Sequence, residues 1–297
     1  MRWVLPVVFS LYRKPADCDR AHPVATRQVL AARMVRQVAA ALRGVDLRVA
    51  ADGQYAARDT VTGLPPGANL VSRIRSDAAV YALPPARRRP GQRGRHPKKG
   101  RRLPTPRQMA ARRTKGWKRV TLLKQGRTVQ RLVLGITCLW YHVCRGVPIR
   151  LVIVRDPAGH EKDDFFFSTD ATVPDAQIAQ RGTDRSGVEE AILEAKQHLG
   201  FENTRGWCSR TVHRQAPLAM VLATLTKAWY ARCAAAEPSL APERTPWNPS
   251  KTRPSFADML AALRRCLWRH RISPKSRFSA RLQQIVETVA YALSAAA

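Results

Sequence analysis

Residues Gly182 to Gly200 read GTDRSGVEEAILEAKQHLG. Gly182, Arg185, Glu189 and Lys196 are spaced by three, four and seven positions, so on a helix all four share one face. An acid set between an arginine and a lysine is a way to hold a metal-binding carboxylate beside a phosphodiester backbone. The adjacent positions Val188, Ile192, Ala195 and Leu199 form an apolar stripe that gives the helix a face to bury. The pattern predicts one helix from about Pro174 to Gly200. A second carboxylate lies far upstream, Asp52 in VAADGQY.

The rest of the chain sets the partner class. Its 297 residues suffice for one large domain or two smaller ones. A formal net charge of +31 says little about fold and much about partners, which should be polyanions. Seven Trp and 45% hydrophobic residues exclude a purely disordered basic tail. No apolar run approaches the roughly 20 residues that span a bilayer, so a membrane partner is not expected. Cys18, Cys138, Cys144, Cys208, Cys233 and Cys266 contain no CxxC pair and read as reduced thiols of a cytosolic protein.

Working outward from the helix, the opening MRWVLPVVFSLYRK has a short apolar stretch interrupted by Pro6 and no cleavage site, and it reads as a strand rather than a signal peptide. In TRQVLAARMVRQVAAALRG, Val29, Leu30, Met34, Val38 and Leu42 make a helical apolar face that ends near Gly44. LRVAADGQY reads as a short strand ending at Asp52, and NLVSRIRSDAAVYAL, 69–83, as another. VTLLKQG, RLVLGITCLWYHV, VPIRLVIVRDP and DFFFSTD follow as strands. PLAMVLATLTKAWYARCAAA, from Pro217, is a further helix, and 237–256 is a Pro-rich linker before a helical tail, 257–297.

The segment 87–119 differs in kind: it holds fifteen Lys or Arg and no acid. It reads as a loose loop whose natural partner is phosphate. Arg87, Arg88, Arg89, Arg93, Arg95, Lys98, Lys99, Arg101 and Arg102 are its candidate DNA-binding residues.

Taken in order, these segments resemble the insertion-sequence transposases of bacteria that carry an RNase H-like (DDE) catalytic domain. The family signature Y-x2-R-x3-E-x6-K falls on Gly182, Arg185, Glu189 and Lys196, KQHLGFEN is similar to its helix end, and VAADGQYAARD is similar to the segment with the second catalytic aspartate, which maps to Asp52. The likeness covers roughly Leu5 to Tyr230. It implies an α/β fold: an RNase H-like mixed sheet flanked by helices (1–85 and 171–235), interrupted by a basic DNA-binding loop (86–116) and a β-rich insertion (117–170). It also implies metal-dependent cleavage and transfer of DNA strands at insertion-sequence ends, a homodimer on paired ends, and a place in the bacterial cytoplasm at the nucleoid.

Three departures stand out. Gly182 occupies the signature tyrosine position and Ser186 a position usually held by tryptophan. The family's first catalytic aspartate, on the first strand of its sheet, has no counterpart before the helix at Thr26, so the chain reads as N-terminally truncated. Asp17 and Asp19, in PADCD, are poor substitutes.

In this family Asp52 and Glu189 would each help to hold one of two Mg²⁺ (or Mn²⁺) ions, which stabilise the attacking and leaving oxygens at phosphorus. The first aspartate would bridge both ions. Without it, weak or absent catalysis is expected, and a non-catalytic basic DNA-binding remnant is the alternative. A third possibility recruits Asp170 as the missing ligand. Arg185 and Lys196 would contact DNA phosphates as positioning groups.

Simpler roles compete. Asp52-Gly53 is a common turn dipeptide, Glu189 and its neighbour Glu190 could be solvated helix acids, and Asp170 could merely end a strand. His142, His198 and His213 have no metal-ligand spacing with the cysteines. Trp117, Trp140 and Trp207 could stack on bases, although core packing suits Trp140 better.

Overall fold

The computed structural model describes residues 3–86, 95–124, 126–203, 208–233, 237, 240–242, 244, 246, 248–272 and 280–295. It divides into two compact units, Ser10–Ser186 and Met1–Phe9 together with Gly187–Ala297.

The Ser10–Ser186 unit begins with helix α1 (Arg27–Ala41), started by Thr26, whose hydroxyl accepts from the Val29 N–H at 3.2 Å. Strand β1 (Arg48–Ala51), the short helix α2 (Arg58–Gly63) and strand β2 (Asn69–Arg73) follow. β1 and β2 pair in parallel, with Ala51 opposite Ser72. Helix α3 (Pro106–Arg112) precedes β3 (Lys118–Lys124) and β4 (Arg127–Leu139), and helix α4 (Tyr141–Cys144) precedes β5 (Pro148–Arg155) and β6 (Asp164–Ser168). Among the described residues these make one six-stranded mixed sheet in the order β1-β2-β6-β5-β4-β3. The strands of the β-rich segment thus join the same sheet as β1 and β2. The architecture is α/β and consistent with an RNase H-like fold.

Both sheet faces are covered, so the central strand β5 reads as a nearly unbroken apolar run, PIRLVIVR. On one face Leu70, Ile149, Leu151, Ile153 and Phe167 pack with Met109 and Ala110 of α3 and Val143 and Cys144 of α4. On the other, Val71, Val133, Val152, Val154 and Phe166 pack under Ile178 and Ala179 of helix α5 (Asp175–Asp184). A fully buried side chain such as Phe167 or Ile178 contributes about 1.5–3 kcal/mol. Trp140 is core, edge-to-face on Phe167 at 5.2 Å.

Three local readings change. β2 ends at Arg73 instead of running to Leu83, because Ser76 and Asp77 form a turn closed by the Ala78 N–H on the Arg75 carbonyl. Within 86–116, α3 is a helix with a Thr105/Gln108 capping box, anchored by buried Met109 and Ala110. The helix expected from Pro174 to Gly200 is two, α5 and α6 (Ser186–Leu199), with Arg185 between them. The break follows Gly182, a weak helix former. There the Thr183 hydroxyl donates to the Ala179 carbonyl and the Ser186 hydroxyl to that of Thr183, back-bonding that bends helices.

The second unit is helical: α6, α7 (Ser209–Cys233), α8 (Phe256–Ile272) and α9 (Ala280–Ala295). Its core holds Tyr230, Leu240, Met259 and Ala262, with Trp3 and Trp229 against it. The opening segment expected as a strand has no strand pairing. From Trp3 to Phe9 it lies along α7, where the Lys227 ammonium donates to the Val4 carbonyl and the Thr224 hydroxyl to that of Pro6. Pro6 has no N–H to give a ladder. On α6 the buried positions are Ala191 and Ala195, while Val188 and Ile192 of the expected stripe are exposed. No described helix is long and apolar enough to cross a membrane.

Candidate active site and nucleic-acid interface

Asp52 leaves the carboxyl end of β1, one residue past the Ala51–Ser72 pair. Its Oδ1 accepts from the Gly53 N–H at 2.7 Å and caps the short turn Gly53–Tyr55, while its carbonyl accepts the Ser72 hydroxyl at 2.9 Å. The turn-forming role is therefore real, and it occupies one carboxylate oxygen. Arg73 is alongside: a β-carbon on Gly53 would lie 3.5 Å from that of Arg73, and the Arg73 guanidinium reaches Asp164 at 2.9 Å. Sequence reading missed Arg73. Only the parallel register of β1 and β2 reveals it, since Asp52 and Arg73 are 21 positions apart.

Asp170 is at the other end of the sheet. β6 runs antiparallel to β2 with Ser168 opposite Val71, so Asp170 falls level with Asn69 while Asp52 falls level with Arg73. Four residues of strand rise separate the two levels, roughly 13 Å. Asp170 accepts from both the hydroxyl and the N–H of Thr172, which hold its carboxyl below the usual range. It has a strand-end role.

Gly182 and Arg185 lie in the Ser10–Ser186 unit, and Glu189 and Lys196 in the other. The signature is thus divided between units, and Asp52 and Glu189 belong to different ones. Glu189, in the first turn of α6, and its neighbour Glu190 are exposed. Lys196 is paired with Glu202 at 2.6 Å, both side chains being solvent-accessible, a pair worth little that phosphate could replace. The glycine at the signature tyrosine position has a local cause, because the Phe166 ring fills the space a side chain would take.

Of the basic segment, Arg87, Arg88, Arg89 and Arg93 lie outside the described residues, as does Trp207. Arg95, Lys98, Lys99, Arg101 and Arg102 are exposed. Contrary to the loose loop expected, 100–103 is tied to 80–82 by backbone bonds from Gly100 N–H to Ala82, Ala82 N–H to Arg101 and Leu103 N–H to Val80. A β-carbon at Gly100 would come 2.5 Å from the Leu83 carbonyl oxygen, so only glycine lets the two segments approach. Lys99 sits 4.1 Å over the Tyr81 ring. Trp117 donates to the Arg113 carbonyl and carries the Arg155 guanidinium at 4.4 Å on its face, so its ring is already stacked.

A pair of divalent ions needs several oxygen ligands. Among the described residues no three His, Cys, Asp or Glu side chains cluster to hold even one ion. At the Asp52 end of the sheet, Asp164 is taken by Arg73 and Asp163 by Arg155. Among the described residues, no donor set around Asp52 or around Glu189 fits an ion pair.

All six cysteines are unbridged, and burial pushes the Cys138 and Cys144 thiols up to about 12 and about 11. They are packing residues.

Residues 13–225 match a family model described as the transposase DDE domain. No curated protein matches the chain significantly.

Proposed function

The chain belongs to the transposase DDE domain family, and on that premise we propose that it is a DNA-binding protein of insertion-sequence transposition with weak or absent strand cleavage of its own. Asp52 and Glu189 are its candidate metal-holding acids, with Mg²⁺ or Mn²⁺ as the ion. The observation that carries the reading is Asp52 at the carboxyl end of the parallel pair β1–β2, where open α/β sheets place their ligands. The Arg185–Glu189–Lys196 spacing adds support from the sequence.

Arg185, Lys196 and the exposed cations Arg95, Lys98, Lys99, Arg101 and Arg102 would hold double-stranded DNA by its phosphates, an interaction that fixes position without reading bases. Transposon ends and target are the DNA in question, with a homodimer on paired ends and a nucleoid location as parts of the same reading. The short carboxylate set supports weak or absent cleavage, and it favours a second reading, a non-catalytic DNA-binding remnant.

The test is incubation of the purified chain with Mg²⁺ or Mn²⁺ and a duplex bearing the element's ends. Binding with little cleavage is expected, and any residual cleavage should vanish in both Asp52→Ala and Glu189→Ala. Efficient cleavage that survives either substitution would overturn the site assignment. Complete absence of cleavage with tight binding selects the non-catalytic remnant.

A further inference from the structure

We propose that a concavity on the Ser10–Ser186 unit is a docking groove for a nucleic-acid phosphate backbone, with Arg107 and Lys162 as its contact cations. The cavity measures about 540 Å³ and is walled by Arg73, Arg107, Arg155, Lys162, Asp163 and Asp164. Two of its arginines are matched by its two acids. Arg73 binds Asp164 at 2.9 Å, and Arg155 grips Asp163 through Nε and Nη2 at 2.9 and 2.6 Å. Arg155 is further fixed by the Ala110 carbonyl at 2.9 Å and by stacking on Trp117.

The remaining two cations are left in excess. Arg107 on α3 and Lys162 before β6 are both exposed, and neither forms an ion pair with a described residue. Asp77, whose carboxyl feels the charge of Arg107, is clasped by Arg75 through two bonds of 2.7 and 2.9 Å. The groove therefore has rigid, internally neutralised walls and two cations free to meet an anion. Phosphodiester is the anion that suits it, because Arg73 also flanks Asp52, so a backbone passing that carboxylate runs on into the groove. The inference rests on the DNA-binding reading above and names a surface for it.

The experiment is fluorescence anisotropy of a labelled 20-base-pair duplex, in EDTA, from 50 to 200 mM NaCl, with the full chain. Arg107→Gln/Lys162→Gln should reduce the log–log salt slope by about 1.8, at about 0.9 for each phosphate no longer neutralised, and weaken binding on the order of tenfold. The exposed pair Arg33→Gln/Arg36→Gln on α1 removes the same charge outside the groove and should change the slope far less. Thermal melting checks folding, and the single Lys162→Gln, expected to lower the slope by about 0.9, serves if the double variant is unstable. A steep wild-type slope unchanged in the groove variant, or lowered equally by the α1 pair, overturns the groove and leaves the DNA reading standing. Absence of salt-dependent binding in the wild type overturns both.

Discussion

A β-carbon placed on Gly182 would lie 2.5 Å from the ring of Phe166. Gly182 is in α5 and Phe166 in β6, and the ring is buried at 3% exposure with the Arg73 guanidinium 5.9 Å from its centre on one side. The helix can rest on the sheet here only because residue 182 has no side chain. The tyrosine that the family signature carries at this position could not be accommodated beside this phenylalanine.

Restoring the signature should therefore harm the fold. Gly182→Ala is expected to destabilise by about 1–3 kcal/mol through overpacking, although alanine is the better helix former. Gly182→Tyr should cost more. Combined with Phe166→Ala, it should cost less than the sum of the two single changes, a coupling that a double-mutant cycle in urea would measure. Additive costs would show that the two residues do not compete for one space.

The ion pair between Lys227 and Glu194 joins α7 to α6, with Lys227 only 3% exposed and also bonded to the Val4 carbonyl. Removing one partner strands a charge out of water. Lys227→Met or Glu194→Leu should each cost about 3 kcal/mol, and the double change to apolar residues should cost less than either. Chemical denaturation of the four proteins decides it.

Asp156 closes the turn after β5 and supplies a pH signature. Burial pushes its carboxyl up, but the Ala158 N–H, the Arg131 charge and the N–H groups of Glu161 and His160 outweigh it and leave it below the ordinary value. A carboxyl lowered on folding stabilises above its unfolded pKa, about 3.9, and that contribution is lost as pH falls through the lower folded value. Asp156→Asn should lower Tm at pH 7, and the gap to wild type should close as the pH drops below about 3.9. A gap that stays constant from neutral to strongly acidic pH would contradict this account.

Thiol chemistry should sort the cysteines. Cys208 is exposed, and the hydroxyl and N–H of Thr211 lower its pKa, whereas burial holds Cys138 and Cys144 at about 12 and about 11. The thiolate is the reactive form. Iodoacetamide at pH 8 should modify Cys208 quickly and reach Cys138 and Cys144 only on unfolding, as peptide mass mapping would show.

The described basic segment should contribute to binding on its own. Replacing Lys98, Lys99, Arg101 and Arg102 with Gln is expected to lower the log–log salt slope by up to about 3.6, or about 0.9 per neutralised phosphate. Lys99, engaged with Tyr81, should account for the smallest share. Filter binding of single variants would rank them.

Much of the fold was legible because its signals are local. The runs VTLLKQG, RLVLGITCLWYHV, VPIRLVIVRDP and DFFFSTD gave β3 to β6, since β-branched and aromatic residues bounded by turn residues form strands under many tertiary contexts, except that the end of the second run, Tyr141 to Val143, lies in α4 instead of the strand. The apolar helix expected from Pro217 formed as well, extended at its start to Ser209. The helix carrying the signature was legible as helix but not as two helices. Its break depends on Thr183 and Ser186 turning their hydroxyls onto backbone carbonyls, which the 3.6-residue period does not reveal.

The sequence by itself determined the α/β class, and its charge of +31 set the expectation of a polyanion partner, while the spacing to Arg185 and Lys196 selected Glu189 and the resemblance to the family selected Asp52. Each of these depends on composition or on residues a few positions apart. Only the tertiary structure decided that Asp170 ends up roughly 13 Å along the sheet from the Asp52 level, that Ala191 and Ala195 rather than Val188 and Ile192 are buried, and that Arg73, Arg107, Arg155 and Lys162 wall one cavity. Those outcomes rest on strand register and side-chain packing between segments tens of residues apart. A shift of register would move every one of them while leaving the local pattern unchanged.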